Sequence, residues 1–260
     1  MFSTSVEAIK DYQLCARMYD YRHQDQLPEA IYARDLMSER YQNTLQQVVS
    51  FFFYKKQGGY IPSVNSLLNR WERLWFPKNI TAYDISIEQH ETWHRNESSY
   101  TTAATASILQ FHEDFSKLNV DPLVIEEAYD VPIGKTIKLQ GKFDYILRTK
   151  NKEYMVIHLS SKLKRPPMSA LAFEFAAMRY AFNYRMGEAA PSVKYYMYDL
   201  GSAKPGFVEA KPLDSDVRAL IYWAKELEST KLFVPRRGFS AYCRGCPFDK
   251  QCSEWNEWPK

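Results

Sequence analysis

The sequence has no long apolar run and contains little glycine. Of its 260 residues only 9 are Gly, against 13 Pro, which excludes collagen-like and glycine-rich low-complexity chains. No apolar stretch approaches the roughly 18 residues of a membrane-spanning helix, so we expect no membrane contact. The opening MFSTSVEAIKDYQ lacks the basic and apolar regions of a secretory signal, which predicts a cytoplasmic, intracellular location.

Cysteine is scarce as well, and neither sign of charge dominates. A net charge of +3 and a pI near 8.5 neither require nor exclude a polyanionic partner. Four cysteines are too few for the disulfide framework of a small secreted protein, which leaves free thiols or a metal centre. The remaining composition, 45% hydrophobic and 25% charged, is that of a packed globular protein.

Helical periodicity dominates the first half of the chain. Thr4 and Glu7 have the spacing of a capping box, which predicts the start of a first helix. A wide apolar stripe that ends at a Gly-Gly pair predicts a long and deeply packed second helix. The predicted helical segments are residues 5–20, 33–57, 63–75 and 81–119.

From about Pro122 onward, short β-branched and aromatic runs predict four strands of one sheet. Between the third and fourth runs lies an alanine- and aromatic-rich segment whose length suits a helical crossover connection. A last helix is predicted at residues 214–229, capped by Asp214 or Ser215. The four runs are VIEEAYDVPI, IKLQGKFDYILRT, EYMVIHLS and VKYYMYDL.

Three cysteines form a compact group, Cys243-x2-Cys246-x5-Cys252, while Cys15 stands alone near the start. Four thiolates can hold a tetrahedral Zn²⁺ or a cubane iron–sulfur cluster. Structural zinc sites more often use two local pairs, so this layout favours the cluster over zinc, and idle thiols without metal are the third alternative. The short tail has little room for a core of its own, as expected where a metal centre folds it.

Several segments together resemble the RecB-like branch of the PD-(D/E)XK nuclease superfamily, above all its iron–sulfur members. Those members include AddB nuclease domains and CRISPR-associated RecB-like exonucleases. The tail FVPRRGFSAYCRGCPFDKQC and the strand QGKFDYI carry most of the resemblance. Weaker matches are the opening SVEAIKDYQLCARMYDYRH, the helix around ERYQNTLQQVV and the strands LVIEEAYDVPI and EYMVIHLSSK.

The resemblance implies an α/β fold with a restriction-endonuclease-like core, in which helices flank a central mixed sheet. It implies one domain over residues 1–260, with a mainly helical part at 1–120, a sheet-containing core at 121–230 and an iron–sulfur tail at 231–260. The tail is expected to be attached to the first helix by a mainly structural [4Fe–4S] cluster. The implied cluster ligands are Cys15, Cys243, Cys246 and Cys252.

The chemistry of the superfamily uses a divalent cation held by carboxylates and a lysine that stabilises developing negative charge. The resemblance places the first carboxylate at Asp144. The second carboxylate and the lysine belong at i and i+2 on the next strand, which here are His158 and Ser160. Because imidazole is a poor ligand for Mg²⁺ and a hydroxyl cannot replace an ammonium, we expect a degenerate site in which Mg²⁺ or Mn²⁺ is not used.

Other positions of the implied site point the same way. The helix that carries a metal-binding histidine in the family has Asn43 at that place, and residues 163–190 lack the glutamine that the family has there. Lys162 lies two residues beyond the lysine position and could replace it only if the strand were bulged or its side chain reached back. Glu126 or Glu127 keeps an acidic position upstream.

Asp144 and His158 each have two interpretations. Asp144 is interpreted as a relic carboxylate that pairs with a nearby Lys or Arg, or with His158 itself. Because His158 is flanked by apolar residues, it is interpreted as a hydrogen-bonded core residue. The alternative is a transition metal bound by both side chains.

Three functions follow from these interpretations. The first is a catalytically inactive nuclease fold that binds DNA, as single strands or ends, beside a helicase, recombinase or nuclease subunit. The second is an active divalent-metal-dependent DNA exonuclease, and the third is a protein-interaction scaffold without nucleic-acid binding. Tyrosines that fit base stacking or the core equally well are Tyr184, Tyr195, Tyr196 and Tyr198. Candidate phosphate contacts are Lys162, Lys164, Arg165, Arg236, Arg237 and Arg244.

Overall fold

The computed structural model describes most of the chain, and the structural statements below concern those residues. Their side chains are included except at residues 33–37 and 87–97. The described residues are 1–27, 29, 33–75, 87–162, 165–187, 192–202, 204–233, 243, 246–248 and 252.

A mixed sheet of six strands forms the centre of the molecule. The strands are β1 (Phe2–Ser5), β2 (Val120–Ile133), β3 (Ile137–Thr149), β4 (Tyr154–Ser160), β5 (Val193–Asp199) and β6 (Gly206–Ala210). They are ordered β1-β3-β4-β5-β6, with β2 paired to β3. The β1–β3 and β4–β5 pairs are parallel and the others antiparallel.

Helices cover both faces of this sheet. They are α1 (Val6–Leu14), α2 (Ala16–Tyr19), α3 (Ala33–Gln57), α4 (Val64–Trp75), α5 (Ile87–Lys117), α6 (Ala172–Met186) and α7 (Asp214–Ser229). A π-helix (Asp20–Gln24) follows α2, and a 3₁₀ turn (Met168–Leu171) precedes α6. The expected α/β architecture, a mixed sheet flanked by helices, is confirmed.

Two hydrophobic cores lie on either side of the sheet. One joins α1, α6 and α7 to the strands around Leu139 and Phe143. The other joins α3, α4 and α5 to the strands around Tyr145 and Leu147. Each of these strand side chains is at most 1% exposed, and full burial of such a side chain is worth about 1.5–3 kcal/mol.

One edge of β3 is shared by two partners. β2 pairs with β3 along its length and occupies the first edge, so β1 and β4 both pair with the second. β1 pairs with residues 137–140 and β4 with residues 145–148, which leaves residues 141–144 between the two partners. Phe143 and Tyr145 belong to opposite cores, so β3 also reverses its facing at Asp144.

The amino-terminal segment differs from its prediction. Thr4 belongs to β1, and the side chain of Ser5 caps α1 by accepting a hydrogen bond from the backbone N–H of Ala8 at 3.1 Å. The single helix predicted for residues 5–20 is interrupted at Cys15, whose φ of −159° and ψ of 116° are extended. The capping-box prediction at Thr4 was therefore wrong, because pairing with β3 draws Thr4 into the sheet.

The remaining elements follow the predicted pattern with two changes. The four predicted strands are present, but β1 and β6 extend the sheet beyond them. Leu213, and not Asp214 or Ser215, is the cap of α7. The backbone N–H of Leu213 donates to Oδ2 of Asp216 at 3.0 Å. Among the helices in the described part of the chain, none combines the length and apolarity needed to cross a membrane.

Candidate functional site

Asp144 lies where β3 and β4 separate. The last pair of the β3–β4 ladder is Tyr145 opposite Ile157, and Asp144 is the next residue on β3. It is only 8% exposed, and its Oδ2 accepts a hydrogen bond from the backbone N–H of Leu159 at 2.9 Å. The carboxylate therefore replaces a main-chain partner for β4 where the two strands part.

His158 and Ser160 occupy β4 two residues apart, as predicted. Nδ1 of His158 lies 2.9 Å from Oδ2 of Asp144, and its ring packs edge-on against Phe175 with centroids 6.0 Å apart. The structure places His158 beside Asp144, as one of the partners expected for that carboxylate. Ser160 is 5% exposed, and its Oγ has no hydrogen-bond partner within the described residues. The strand position expected to hold a lysine thus presents a buried hydroxyl.

A lysine ammonium group lies between two carboxylates at this point. Nζ of Lys142 is 3.6 Å from Oε1 of Glu126 and 3.7 Å from Oδ1 of Asp144. The same Oε1 of Glu126 accepts a hydrogen bond from Nε2 of Gln46 at 2.5 Å. Glu126 has a φ of +52°, which costs a residue other than glycine about 1–3 kcal/mol.

Tyr129 lies opposite Gly141 of β3, within electrostatic range of Asp144. A Cβ atom at Gly141 would come within 2.3 Å of Cζ of Tyr129, so glycine is what allows the ring to cross the strand. Burial raises the pKa of Tyr129 far above its usual value, and the negative charges of Asp144 and Glu174 raise it further. Tyr129 is therefore a neutral phenol at physiological pH.

The structure separates the two upstream glutamates. Oε1 of Glu127 lies 2.6 Å from Nη1 of Arg185 on α6, so Glu126 and not Glu127 is the acidic residue that joins Asp144. Lys162 lies past the end of β4 and is exposed. The ammonium group beside Asp144 belongs to Lys142 instead.

Sequence reasoning missed Gln46 and Lys142. Asn43 is exposed on α3, while Gln46, almost one turn later, reaches Glu126. Lys142 precedes Asp144 by two residues, and the period of a strand predicts that both lie on one face. The spacing of Lys142 and Asp144 in the GKFD segment therefore indicates this contact, whereas the superfamily pattern places its lysine on the following strand.

The candidate phosphate contacts are only partly described. The guanidinium of Arg165 pairs with the carboxylate of Asp199, which is 0% exposed, and donates to the backbone carbonyl of Lys204 at 2.8 Å. Arg165 therefore fixes the loops that follow β4 and β5, in addition to any contact with nucleic acid. The candidates outside the described residues are Lys164, Arg236, Arg237 and Arg244.

The four candidate stacking tyrosines divide by exposure. Tyr195 is 5% exposed and Tyr198 is 0% exposed, because both faces of β5 are covered. The hydroxyl of Tyr198 donates to Oδ2 of Asp114 at 2.8 Å. Tyr196 is half-buried, while Tyr184 on α6 is 59% exposed. Of this set, Tyr184 alone presents most of its ring to a ligand.

The four cysteine thiols are half-buried and form no disulfide. Burial raises the pKa of the Cys246 thiol, and the neighbouring thiols of Cys15, Cys252 and Cys243 raise it further. Burial likewise raises the pKa of Cys243, with a contribution from Cys15 and Cys252. The amino-terminal thiol and the three tail thiols therefore lie within electrostatic range of one another.

An aromatic contact holds the tail beside the first helices. Phe248, between Cys246 and Cys252, is 0% exposed, and its ring centroid lies 5.7 Å from that of Tyr21 in the π-helix. The guanidinium of Arg22 lies 5.8 Å from the Phe248 ring centroid. The π-helix that follows Cys15 thus provides the surface on which this part of the tail packs.

Among the described residues, neither the carboxylates nor the four thiols are arranged to hold a metal ion as they stand, although the two groups differ in ligand chemistry. Across the described residues, no group of three or more His, Cys, Asp or Glu side chains is arranged to hold a metal ion. At the carboxylates, donors from the chain itself occupy the oxygens: Leu159 and His158 contact Oδ2 of Asp144, and Lys142 lies beside its Oδ1. These residues do not fit Mg²⁺ or Mn²⁺ as they stand.

The thiols fit a metal centre in their chemistry. Four cysteines in mutual range are the donor set of a [4Fe–4S] cluster or a structural zinc ion. A backbone hydrogen bond at Phe248 lowers the pKa of Cys246 and so opposes the effect of burial. Hydrogen bonds to the ligand sulfurs are a usual feature of iron–sulfur sites.

Comparison with known proteins identifies the superfamily. Residues 3–253 match the family model of the PD-(D/E)XK nuclease superfamily, and the chain therefore belongs to that superfamily. The crystal structure of SSO0001 aligns with 97% of this chain and 86% of its own, at 14% identity and a TM-score of 0.43. No curated protein matches the sequence.

Proposed function

We propose that this chain is an iron–sulfur protein of the RecB-like branch whose nuclease centre is inactive and which binds DNA, as single strands or ends. The observation that carries the proposal is the state of Asp144, whose carboxylate is engaged by Leu159, His158 and Lys142. A nuclease of this superfamily needs that carboxylate for a divalent cation. The buried hydroxyl of Ser160, in place of a lysine, supports the same conclusion.

The cluster in this proposal is a [4Fe–4S] centre held by Cys15, Cys243, Cys246 and Cys252. The mutual range of the thiols and the packing of Phe248 on the π-helix support it. When bound, the cluster supplies iron–thiolate bonds that attach the tail to the first helices. The residues of the chain bring the thiols together and bury them.

The DNA-binding part of the proposal depends on the fold and on exposed basic groups. A groove that fits a phosphodiester backbone remains useful for binding after the loss of a catalytic metal. Lys162 is exposed just past the end of β4, two residues from Ser160, and is the described candidate for a phosphate contact. A protein partner of the helicase, recombinase or nuclease-subunit type would direct the bound DNA to its pathway.

The test is a gel series with anaerobically purified protein and labelled single-stranded and duplex DNA, with and without Mg²⁺ or Mn²⁺. On native gels we expect shifted DNA, and on denaturing gels we expect intact DNA. Cleavage by the wild-type protein that is lost in Asp144→Asn would overturn the inactive centre. Failure to shift either DNA would overturn the binding function and leave the scaffold interpretation.

A charge variant tests the proposed groove. Lys162→Gln is expected to weaken DNA binding and to reduce the slope of log affinity against log salt by about 1. The matched control is Lys150→Gln, another exposed lysine, which lies in the β3–β4 turn at the opposite end of these strands. An equal loss in both variants would show that binding follows net charge and not this groove.

A second candidate function has one observation in its favour. The ammonium group of Lys142, 3.7 Å from Asp144, could serve as the lysine that Ser160 no longer provides. The protein would then be a divalent-metal-dependent DNA nuclease with a relocated lysine. This candidate requires cleavage by the wild-type protein and its loss in Lys142→Gln.

A further inference from the structure

Lys142 has an unusual position for a surface lysine. It comes from β3 and contacts carboxylates from two strands, one of them Asp144, whose side chain is only 11% exposed. Lys138, four residues earlier on β3, forms an ordinary pair with one exposed carboxylate, Asp130, at 2.9 Å. The two lysines are similarly exposed, with 45% and 42% of their side chains accessible.

The two carboxylates beside Lys142 share it as a cationic neighbour. Glu126 and Asp144 occupy opposing positions in the β2–β3 register, between the pairs Ile125–Tyr145 and Glu127–Phe143. Two anions in this arrangement repel each other, and a cation between them removes that repulsion. Hard divalent cations prefer such carboxylate oxygens, and the amide oxygen of a side chain such as Gln46 is a suitable further ligand.

We propose that Lys142 is the permanent cation of this site: its ammonium group neutralises Glu126 and Asp144 in place of a divalent ion, and its removal opens a Mn²⁺ site. The proposal rests on the inactive centre in the proposed function and explains why that centre takes no metal. Metal entry requires displacement of Lys142 from both carboxylates. Because Lys142 is covalently part of β3, its ammonium group stays beside the carboxylates whatever the concentration of metal in solution.

The experiment measures Mn²⁺ binding to the whole protein without DNA, from the electron paramagnetic resonance signal of free Mn²⁺. We expect Lys142→Gln to bind Mn²⁺ at least about tenfold more tightly than the wild type. The reason is that the variant removes one positive charge beside two carboxylates. Lys142→Arg keeps the charge and should bind as weakly as the wild type. The double variant Lys142→Gln/Asp144→Asn should lose the gain.

The matched control is Lys138→Gln, which makes the same change in net charge on the same strand. It frees the single exposed carboxylate of Asp130 and is expected to gain no Mn²⁺ site. An equal gain in Lys138→Gln and Lys142→Gln would overturn the proposal, because it would show a general charge effect. Thermal unfolding of both variants checks that the fold is retained.

The outcomes separate this proposal from the proposed function. If Lys142→Gln gains no Mn²⁺ and the wild type still shifts DNA without cleavage, the permanent-cation proposal fails and the proposed function stands. If the wild type binds Mn²⁺ and cleaves DNA, and Lys142→Gln loses cleavage, both fail. A gain in Lys142→Gln alone, reversed by Asp144→Asn, supports the proposal whether or not the protein binds DNA.

Discussion

The carboxylate site and the thiol site differ in the neighbours that surround their acidic groups. At the carboxylates, the backbone N–H of Leu159, the imidazole of His158 and the ammonium of Lys142 surround Asp144. At the thiols, burial raises the pKa of Cys246 and the neighbouring thiols raise it further, against the opposing effect of a backbone hydrogen bond at Phe248. The first group is compensated from within the chain, while the second has the ligand chemistry for the external metal of the proposed function.

Under the proposed function, this difference explains how the fold has lost a catalytic cation and kept a structural cluster. A hard-cation site needs few ligands, and one nearby lysine or histidine can compensate them. A four-thiol site repels itself when its ligands ionise, and metal binding relieves that repulsion. Under the proposed function, the comparison therefore predicts that the thiol site depends on its cluster far more than the carboxylate site depends on a cation.

The largest expected effect is at the thiol site. Cys246→Ser replaces a soft thiolate ligand by a hydroxyl, so we expect iron and acid-labile sulfide per chain to fall to a small fraction of the wild-type content. Chemical analysis and the brown absorbance of the purified protein measure this loss. Lys162→Gln should keep the full iron content, and a Cys246→Ser protein that does the same would remove Cys246 from the ligand set.

An intermediate effect is expected within the compensated site. Gly141→Ala places a Cβ against the ring of Tyr129 and should lower the free energy of unfolding by about 1–3 kcal/mol, measured by denaturant titration. The control is Gly58→Ala, whose Cβ would meet nothing closer than 3.4 Å. Tyr129→Leu in the Gly141→Ala background should recover part of the loss. If Gly141→Ala is as stable as the control, the ring does not limit this strand.

The smallest effect concerns the helical half, which serves as a reference for both sites. Burial raises the pKa of Tyr41 to about 12, from an ordinary value of 10.0. Its neutral phenol stabilises the fold below pH 10, and this contribution is lost as the pH rises from there towards 12. Tyr41→Phe should reduce the loss of stability between pH 10 and pH 11 by about 1 kcal/mol. Denaturant titrations at several alkaline pH values measure this difference. If Tyr41 had no part in the alkaline loss of stability, the wild type and Tyr41→Phe would lose stability in parallel as the pH rises.

Strongly periodic segments made much of the fold predictable. The apolar stripe at residues 33–57 coincides with α3, and the predicted 214–229 segment coincides with α7. β1 could not be predicted in this way, because FSTS has no apolar alternation and becomes a strand only by pairing with β3. The extended backbone at Cys15 likewise depends on tertiary contacts that periodicity does not reveal.

The candidate site was predictable at Asp144 and His158 but not in its charge balance. The pairing of these two side chains follows from neighbouring strands and was expected. The choice of Glu126 over Glu127 depends on a positive φ in the middle of β2, which local sequence does not indicate. The iron–sulfur tail and the division into helical part, core and tail stay predictions.

The meeting of Cys15 with Cys243 and Cys246 has a consequence for how the protein is made. Cys15 leaves the ribosome well before its partners, since it precedes Cys243 by 228 residues. The hydroxyl pair of Tyr12 and Thr230, 2.9 Å apart, also joins an early helix to a late one. Contacts of such sequence separation form slowly and only once both partners exist. Under the proposed function, a growing chain that has not yet reached Cys243 would display Cys15 without its partners, so the cluster could assemble only after the later cysteines are made.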